Sequence, residues 1–157
     1  MKATSRWTAP KGPKVIEYNC RFGDPETQVV LPLLESDLLT VMQAVTNETL
    51  ADVEVKFATD QSACCVIMAS AGYPQSYEKG YEITIPADVA DSVYVAGAAI
   101  KDGKLVNSGG RVLGVTSVAD TLPEAIAASY AKVEKIHFDN AFCRKDIGQR
   151  ALKAMKA

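Results

Sequence analysis

The sequence predicts an α+β fold, with a small mixed, mainly antiparallel sheet and helices packed on it. Asp102-Gly103, between two apolar runs, predicts a tight hairpin turn and therefore antiparallel strands. Thr121-Leu-Pro-Glu124 has the spacing of a helix capping box. The run after it keeps one helical face apolar, through Leu122, Ile126, Tyr130, Val133 and Ile136. Antiparallel strands with helices in this order are typical of the α+β class.

Length and composition indicate a globular protein and exclude several function classes. The 157 residues suit one domain, or one small domain and a piece of another. Hydrophobic residues make up 48% and the net charge is −2, so neither nucleic acid nor a membrane surface is predicted as a partner. We find no apolar run near the roughly 20 residues of a membrane span, and the polar start is no signal peptide.

The cysteine pattern predicts reduced thiols in the cytoplasm. The four cysteines lack the C-x-x-C spacing of zinc sites, and Cys64 and Cys65 are adjacent in an apolar run. Such residues act as small hydrophobes in a strand. Reduced thiols are the rule in the cytosol.

In the first half of the chain, one strand and two helices are predicted. The strand covers Lys14–Asn19, and a short helix within Pro25–Leu34 is interrupted near Pro32. A clearer helix begins after Ser36 or Asp37 as N-cap and carries the apolar residues Leu38, Val41, Met42 and Val45.

The second half predicts the sheet. Ser62–Ala69 is an almost unbroken apolar run and indicates a buried strand. Further strands are predicted at Tyr81–Ile85, Val93–Ile100, Lys104–Val106, Arg111–Thr116 and Ala141–Lys145, with a short basic helix after Gly148.

The charge-rich stretch Val15–Glu26 is the first candidate site. On a strand, Glu17 and Asn19 point to the same face about 6.5–7 Å apart, so both oxygens could reach one Mg²⁺ ion. Arg21 continues that face, where a guanidinium suits a phosphate. The alternative is a solvated edge strand followed by an ordinary Gly-Asp-Pro turn, and spacing alone favours this alternative.

Four motifs resemble one enzyme family in the same order along the chain. They are Ile16-Glu-Tyr-Asn-Cys-Arg-Phe-Gly-Asp-Pro-Glu-Thr-Gln28, Met68-Ala-Ser-Ala-Gly-Tyr-Pro74, Ser108-Gly-Gly-Arg-Val-Leu-Gly-Val-Thr116 and Phe142-Cys-Arg-Lys-Asp-Ile-Gly148. They resemble the C-terminal portion of phosphoribosylamine–glycine ligase, an ATP-grasp carbon–nitrogen ligase of purine synthesis. The resemblance covers about Gly12 to Leu152 and departs from the family pattern at Ala71 and at Val95-Ala-Gly-Ala98.

This resemblance implies a division of the chain into three parts. Residues 1–11 are expected to be a leader or boundary segment without regular structure. Residues 12–60 are expected to be the C-terminal tail of the ATP-grasp domain, and residues 61–157 the small C-terminal domain of the ligase.

Six residues are expected to act in joining glycine to 5-phosphoribosylamine through glycyl phosphate, five of them by the resemblance and Arg111 by the two glycines before it. Glu17 and Asn19 are expected to bind Mg²⁺ or Mn²⁺. Arg21 is expected to stabilise the transferring phosphoryl group, and Asp24 to hold the substrate ammonium. Glu26 is expected to steady the loop, and Arg111, after Gly109-Gly110, to meet a phosphate. For Asp24, Glu26 and Arg111 a purely structural role explains the pattern as well.

Two other sets of ionisable residues are predicted to be structural. His137 is the only histidine, and the implied reaction needs no histidine base. Arg144, Lys145 and Asp146 lie at a strand end, where an internal salt bridge is expected rather than contact with a substrate.

The resemblance implies that most of the ligase's nucleotide site lies elsewhere. The chain has no G-x-x-x-x-G-K-[ST] loop, and in the family ATP lies between two upstream lobes. We therefore expect the chain alone to bind ATP weakly or not at all and to be inactive, with those lobes as partners in cis or in trans. The strand Lys14–Asn19 then has an open edge, which predicts self-association or cover by the N-terminal segment.

Two alternatives stay open at this point. One is a non-catalytic interaction or structural module derived from the ligase. The other is a different ATP-grasp carbon–nitrogen ligase, against which the Arg21-Phe-Gly-Asp-Pro-Glu26 run argues.

Overall fold

The protein is described by a computed structural model, which covers residues 7–9, 12–14, 18 and 20–155. Its strands are β1 (Trp7–Ala9), β2 (Gly12–Lys14), β3 (Ser62–Ser70), β4 (Val93–Val95), β5 (Ala98–Lys101), β6 (Lys104–Asn107), β7 (Arg111–Ala119) and β8 (Ala141–Cys143). Its α-helices are α1 (Thr27–Val30), α2 (Leu38–Thr46), α3 (Leu122–Val133) and α4 (Gln149–Ala154). The predicted α+β class is confirmed.

A four-stranded antiparallel sheet forms the centre of the molecule, in the order β4-β7-β3-β8. The two long strands β3 and β7 pair from Ser62 opposite Ala119 to Ala69 opposite Arg111, with a register shift after Met68. Two hairpins stand apart from this sheet, β1-β2 and β5-β6. The predicted turn at Asp102-Gly103 joins β5 to β6, and both residues have positive φ, as a type I′ turn requires.

The hydrophobic core lies between this sheet and α3. Helix α3 packs on β3 and β7, and Val66, Leu113, Val115 and Phe138 are almost completely buried. The predicted capping box is present, because Thr121 Oγ1 accepts from the Glu124 backbone N–H and the Glu124 carboxylate accepts from the Thr121 N–H. The capping box therefore determines where α3 begins, and the apolar face of α3 determines which side packs on the sheet.

Two predicted strands are wrong in detail. Tyr81–Ile85 forms only isolated bridges, at Glu82 to Val106 and at Thr84 to His137. Because its alternate residues bond to different neighbours, this segment has no continuous ladder to either one.

The predicted strand Val93–Ile100 is divided in two. β4, which pairs with β7, ends at Val95, and the chain then leaves this sheet and enters the β5-β6 hairpin. The Gly97 N–H donates to the Arg111 carbonyl, and a Cβ on Gly97 would lie 2.8 Å from Gly109 Cα. Only two glycines allow the backbones to pass this closely.

Smaller differences concern the ends of elements. α1 is followed by a 3₁₀ turn at Leu31–Leu33 that contains Pro32, which confirms the predicted interruption. β7 runs beyond Thr116 to Ala119, and β8 stops at Cys143. The segment expected to be an unstructured leader contains β1, which pairs with β2.

Most of the predicted strand Lys14–Asn19 lies outside the described residues, namely residues 15–17 and 19. Among the helices that the structure describes, none is both long and apolar enough to span a bilayer.

Candidate functional site

The polar turn of the first motif is compact. Gly23 O accepts from both the backbone N–H (2.9 Å) and the hydroxyl (2.5 Å) of Thr27, which begins α1. The Asp24–Pro25 bond is cis. Glu26 folds back so closely over Gly23 that a Cβ at Gly23 would collide with its carboxylate. The Glu26 side chain therefore lies against the backbone of this turn.

Arg111, at the start of β7, anchors this turn to the sheet. Its Nη2 lies 3.0 Å from Asp24 Oδ2, and its Nη1 donates to the Asp24 carbonyl oxygen at 3.1 Å. The second carboxylate oxygen, Oδ1, accepts from Gln28 Nε2 at 2.9 Å. Asp24 and Arg111 are both about two-fifths exposed, at 42% and 41%. The pair joins two predicted site residues that stand 87 positions apart.

A cavity of about 310 Å³ opens beside this pair. Its walls are mostly apolar, with two arginines among the lining residues Pro25, Cys65, Ile67, Ala69, Tyr73, Arg111, Phe142, Cys143, Arg144 and Ile147. Arg144 donates to both carboxylate oxygens of Asp146, at 2.8 and 2.6 Å, as the sequence predicted. These hydrogen bonds raise the pKa of Arg144 and lower that of Asp146. Each of the two arginines thus forms an ion pair with a carboxylate. The cavity therefore has mostly apolar walls, and the positive charges at its edge are neutralised.

A buried polar network holds the loop on one side of this cavity. Asn107 is 1% exposed, and its Nδ2 donates to Ser70 Oγ at 2.8 Å and to the Glu78 carbonyl at 3.0 Å. Its Oδ1 accepts from the Tyr81 N–H at 2.8 Å. Ser70 Oγ in turn donates to the Gly109 carbonyl at 3.0 Å. The network therefore ties the loop after β3 to the turn before β7.

Tyr73 reaches the cavity from that loop. Its ring packs directly on Gly110, where a Cβ would collide with it. The bond from Tyr73 to Pro74 is cis. Gly110 thus leaves room for an aromatic wall of the cavity immediately before Arg111, which explains one of the two adjacent glycines by packing.

The adjacent cysteines Cys64 and Cys65 are not activated as nucleophiles. Burial raises the pKa of the Cys65 thiol. Burial also raises the pKa of Cys64. Thiols with a raised pKa carry little thiolate at neutral pH. Cys65 is therefore an unreactive wall residue of the cavity, and Cys64 is an unreactive residue of the core.

The six predicted site residues fall into three groups. Asp24, Glu26 and Arg111 come together at the turn beside the cavity. Arg21 is exposed and donates to the carbonyl of Phe22 at 3.0 Å. Glu17 and Asn19 lie outside the described residues. Within the described part, no cluster of three or more His, Cys, Asp or Glu side chains could hold a metal ion.

His137 is exposed, with Nε2 3.6 Å from a carboxylate oxygen of Asp139, and its backbone pairs with Thr84. The structural role of its side chain stays a prediction.

Sequence reasoning missed the apolar walls and the buried network. Tyr73 and Phe142 belong to two of the quoted motifs, but their ring positions depend on long-range packing. Asn107 precedes the Ser108-Gly109-Gly110 turn and carried no signal beyond its turn-forming type.

Comparison with known proteins gives a consistent result. The family model "Phosphoribosylglycinamide synthetase, C domain" matches residues 63–150. The phosphoribosylamine–glycine ligase of Caldanaerobacter subterraneus subsp. tengcongensis is 47% identical over 138 residues, which are 87% of this chain and 33% of that protein. The chicken trifunctional purine biosynthetic protein adenosine-3 is 50% identical over 144 residues, 90% of this chain and 14% of that protein.

A solved structure is also similar. The crystal structure of phosphoribosylamine–glycine ligase from Thermotoga maritima matches with a TM-score of 0.71 and 36% identity, over 90% of this chain and 35% of that one. The chain therefore spans about a third or less of the length of these relatives.

Proposed function

Because the chain belongs to the phosphoribosylglycinamide synthetase C-domain family, we propose that it is the C-terminal part of an ATP-dependent ligase that joins glycine to 5-phosphoribosylamine. The single observation that carries this proposal is the 47% identity to a phosphoribosylamine–glycine ligase over 87% of the chain. The proposal places the chain in de novo purine synthesis in the cytoplasm. Its substrates are glycine, 5-phosphoribosylamine and ATP.

The proposed reaction has two steps. A glycine carboxylate oxygen attacks the γ-phosphorus of ATP, which forms glycyl phosphate and releases ADP. The amine of 5-phosphoribosylamine then attacks the acyl carbon, so an amide bond forms, phosphate leaves and the amine loses a proton. Both steps develop negative charge on phosphoryl or acyl oxygens, so they depend on positioned cations and donors more than on covalent work by the protein.

Arg21 and Arg111 are the proposed phosphate-binding cations. Arg111 lies in the wall of the cavity and is held by Asp24, so its guanidinium is already oriented before a substrate arrives. A preoriented donor loses less conformational entropy on binding than a mobile one. Arg21 lies on the same turn segment and would act on the transferring phosphoryl group.

Asp24 is the proposed ligand of the glycine ammonium group. A carboxylate has about four lone-pair positions, and among the described residues the Asp24 side chain contacts Arg111 and Gln28. Its remaining acceptor positions are compatible with an ammonium group. Glu26, folded over Gly23, would keep this turn in shape.

Glu17 and Asn19 are the proposed ligands of Mg²⁺ or Mn²⁺, on the strength of the family motif alone. When bound, the metal would supply positive charge that neutralises phosphate oxygens. Within the described residues, no group of three or more His, Cys, Asp or Glu side chains could take their place.

Most of the nucleotide site is proposed to lie in the polypeptide that precedes the matched region in the relatives. The test joins this chain to that part of the Caldanaerobacter ligase and measures ADP release that depends on both glycine and 5-phosphoribosylamine. We expect turnover in the joined protein and none in the chain alone. Absence of turnover in a joined protein that is folded would refute the function.

Residue roles are tested in the same joined protein. Arg111→Ala should reduce kcat/KM by roughly tenfold or more, which corresponds to about 1.4 kcal/mol of transition-state stabilisation. Lys101→Ala, in the exposed β5-β6 turn region, is the matched control and should leave turnover unchanged. Equal effects of the two substitutions would exclude a specific role of Arg111.

A further inference from the structure

Gln28 is the last residue of the first motif, and it has no part in the proposed reaction steps. It is the second residue of α1 and is half-buried. A Cβ on Gly114 of β7 would lie 3.8 Å from Gln28 Cγ and 3.4 Å from Ile67 Cδ1. The stem of Gln28 therefore lies close to the backbone of β7, beside a residue that lines the cavity.

The amide group of Gln28 is directed at Asp24. Its Nε2 donates to Asp24 Oδ1 at 2.9 Å, while Arg111 Nη2 lies 3.0 Å from the other carboxylate oxygen, Oδ2. Because an ionised carboxylate only accepts hydrogen bonds, the Gln28 atom that faces it has to be the NH₂ group. With a donor on each oxygen, the carboxylate cannot rotate about its bond to Cβ without the loss of a hydrogen bond.

The other atom of the amide argues against a role in stability. Gln28 Oε1 is buried, and it accepts no hydrogen bond from any residue that the structure describes. A buried acceptor without a partner costs more free energy than an exposed glutamine–aspartate hydrogen bond within one helical turn contributes. An apolar side chain of similar length, such as methionine, would fill the position without that cost. A buried unsatisfied group therefore needs another explanation, and a functional role is one.

We propose that Gln28 is a positioning residue, which holds the Asp24 carboxylate in the orientation that receives the ammonium group of glycine. Arg111 fixes one oxygen with a full positive charge, which also weakens the attraction of the carboxylate for a second cation. Gln28 fixes the other oxygen with a neutral donor, so it orients the carboxylate without further reducing its negative charge. An acceptor that is already oriented loses less conformational entropy on binding. This inference rests on the ammonium-binding role of Asp24 in the proposed function.

The test uses the chain joined to the preceding part of the Caldanaerobacter ligase, and it measures binding rather than turnover. Ligand-observed NMR titrations give the dissociation constants of glycine and of glycolate, in which a hydroxyl group replaces the ammonium group. Gln28→Met removes the donor and keeps an unbranched stem of similar length. Gln149→Met, at an exposed glutamine of α4, is the matched control. Thermal midpoints are measured for the chain alone.

We expect Gln28→Met to weaken glycine binding by about fivefold, the effect of one hydrogen bond, and to leave glycolate binding unchanged. The thermal midpoint should stay the same or rise, because the substitution removes the unpaired Oε1. Gln149→Met should change none of these quantities. A loss of affinity without a loss of stability is the pattern of a residue kept for function.

Several results would overturn the inference. Unchanged glycine binding in Gln28→Met would show that the hydrogen bond does not matter to the ligand. Equal weakening of glycine and glycolate binding, or a lower thermal midpoint, would show that Gln28 only supports the local fold. If the joined protein does not fold, the preceding part is supplied as a separate polypeptide for the same titrations.

Asp24→Asn separates this inference from the proposed function. If Asp24→Asn leaves glycine binding unchanged, or if the folded joined protein does not bind glycine, the role of Asp24 fails and the inference fails with it. If glycine binding depends on both Asp24 and Gln28 but no turnover occurs, only the proposed reaction is contradicted.

Discussion

The buried side chain of Asn107 is expected to be one of the main stabilising contacts of the loop beside the cavity, and Asn107→Ala tests this. The substitution removes the two donor hydrogen bonds, to Ser70 Oγ and the Glu78 carbonyl, and the acceptor that pairs the Tyr81 N–H. At 1% exposure, water cannot reach the site without local rearrangement. The loop would therefore keep its backbone contacts but lose the side-chain hydrogen bonds that Asn107 makes to it.

The expected cost follows from these contacts. Three hydrogen bonds at about 0.5–1.5 kcal/mol each, with buried partners left unpaired, give a loss of about 2–4 kcal/mol in the free energy of unfolding. The native sheet remains in place, because the Asn107 backbone N–H still donates to the Tyr81 carbonyl. The dependence of unfolding on urea, the m-value, should therefore stay the same.

The measurement is equilibrium unfolding in urea, followed by far-UV circular dichroism. Gln75→Ala is the control, because Gln75 is an exposed residue of the same loop, and its effect should stay within about 0.5 kcal/mol. A loss below about 1 kcal/mol for Asn107→Ala, with an unchanged m-value, would refute the reasoning. It would show that the network contributes little beyond what water supplies.

Three further predictions concern single groups. In a double-mutant cycle of Arg111→Ala and Asp24→Ala, urea unfolding should give a coupling energy below about 1 kcal/mol, because both side chains are partly exposed. A larger coupling energy would show that solvent does not screen the ion pair. Hydrogen bonds from Thr40 lower the pKa of Asp37. The native protein should therefore have a higher free energy of unfolding than Asp37→Ala above the unfolded pKa of about 4, and this difference should disappear as the pH falls below that value. A difference that grows in acid would contradict this. A thiol reagent should modify exposed Cys20 long before buried Cys64, and equal rates measured by mass spectrometry would show that the core opens readily.

The candidate site was only partly predictable, for a reason visible in its residues. Asp24 and Arg111 were each singled out by their charge and by the glycine turns beside them. Their contact, however, joins a turn near the start of the chain to a strand 87 residues later. No local pattern encodes that distance, because it depends on how α1 packs against β3 and β7.

By itself, the sequence determined the elements whose geometry is local. The capping box at Thr121, the positive-φ turn at Asp102-Gly103 and the apolar run of β3 each depend on neighbouring residues. Hydrogen bonds and backbone preferences over three or four residues decide such features, so the expected helix, hairpin and buried strand were confirmed.

Tertiary structure alone decided the cavity, the Ser70–Asn107 network and the fate of two predicted strands. Tyr81–Ile85 has the alternation of a strand, yet its residues bond to β6 on one side and to His137 on the other. Val93–Ile100 divides because Gly97 passes close to Gly109. The first motif predicted a polar turn near an active site, and the structure shows that Arg111 holds this turn against the sheet. These outcomes depend on contacts between distant segments, which are formed only when the chain has folded.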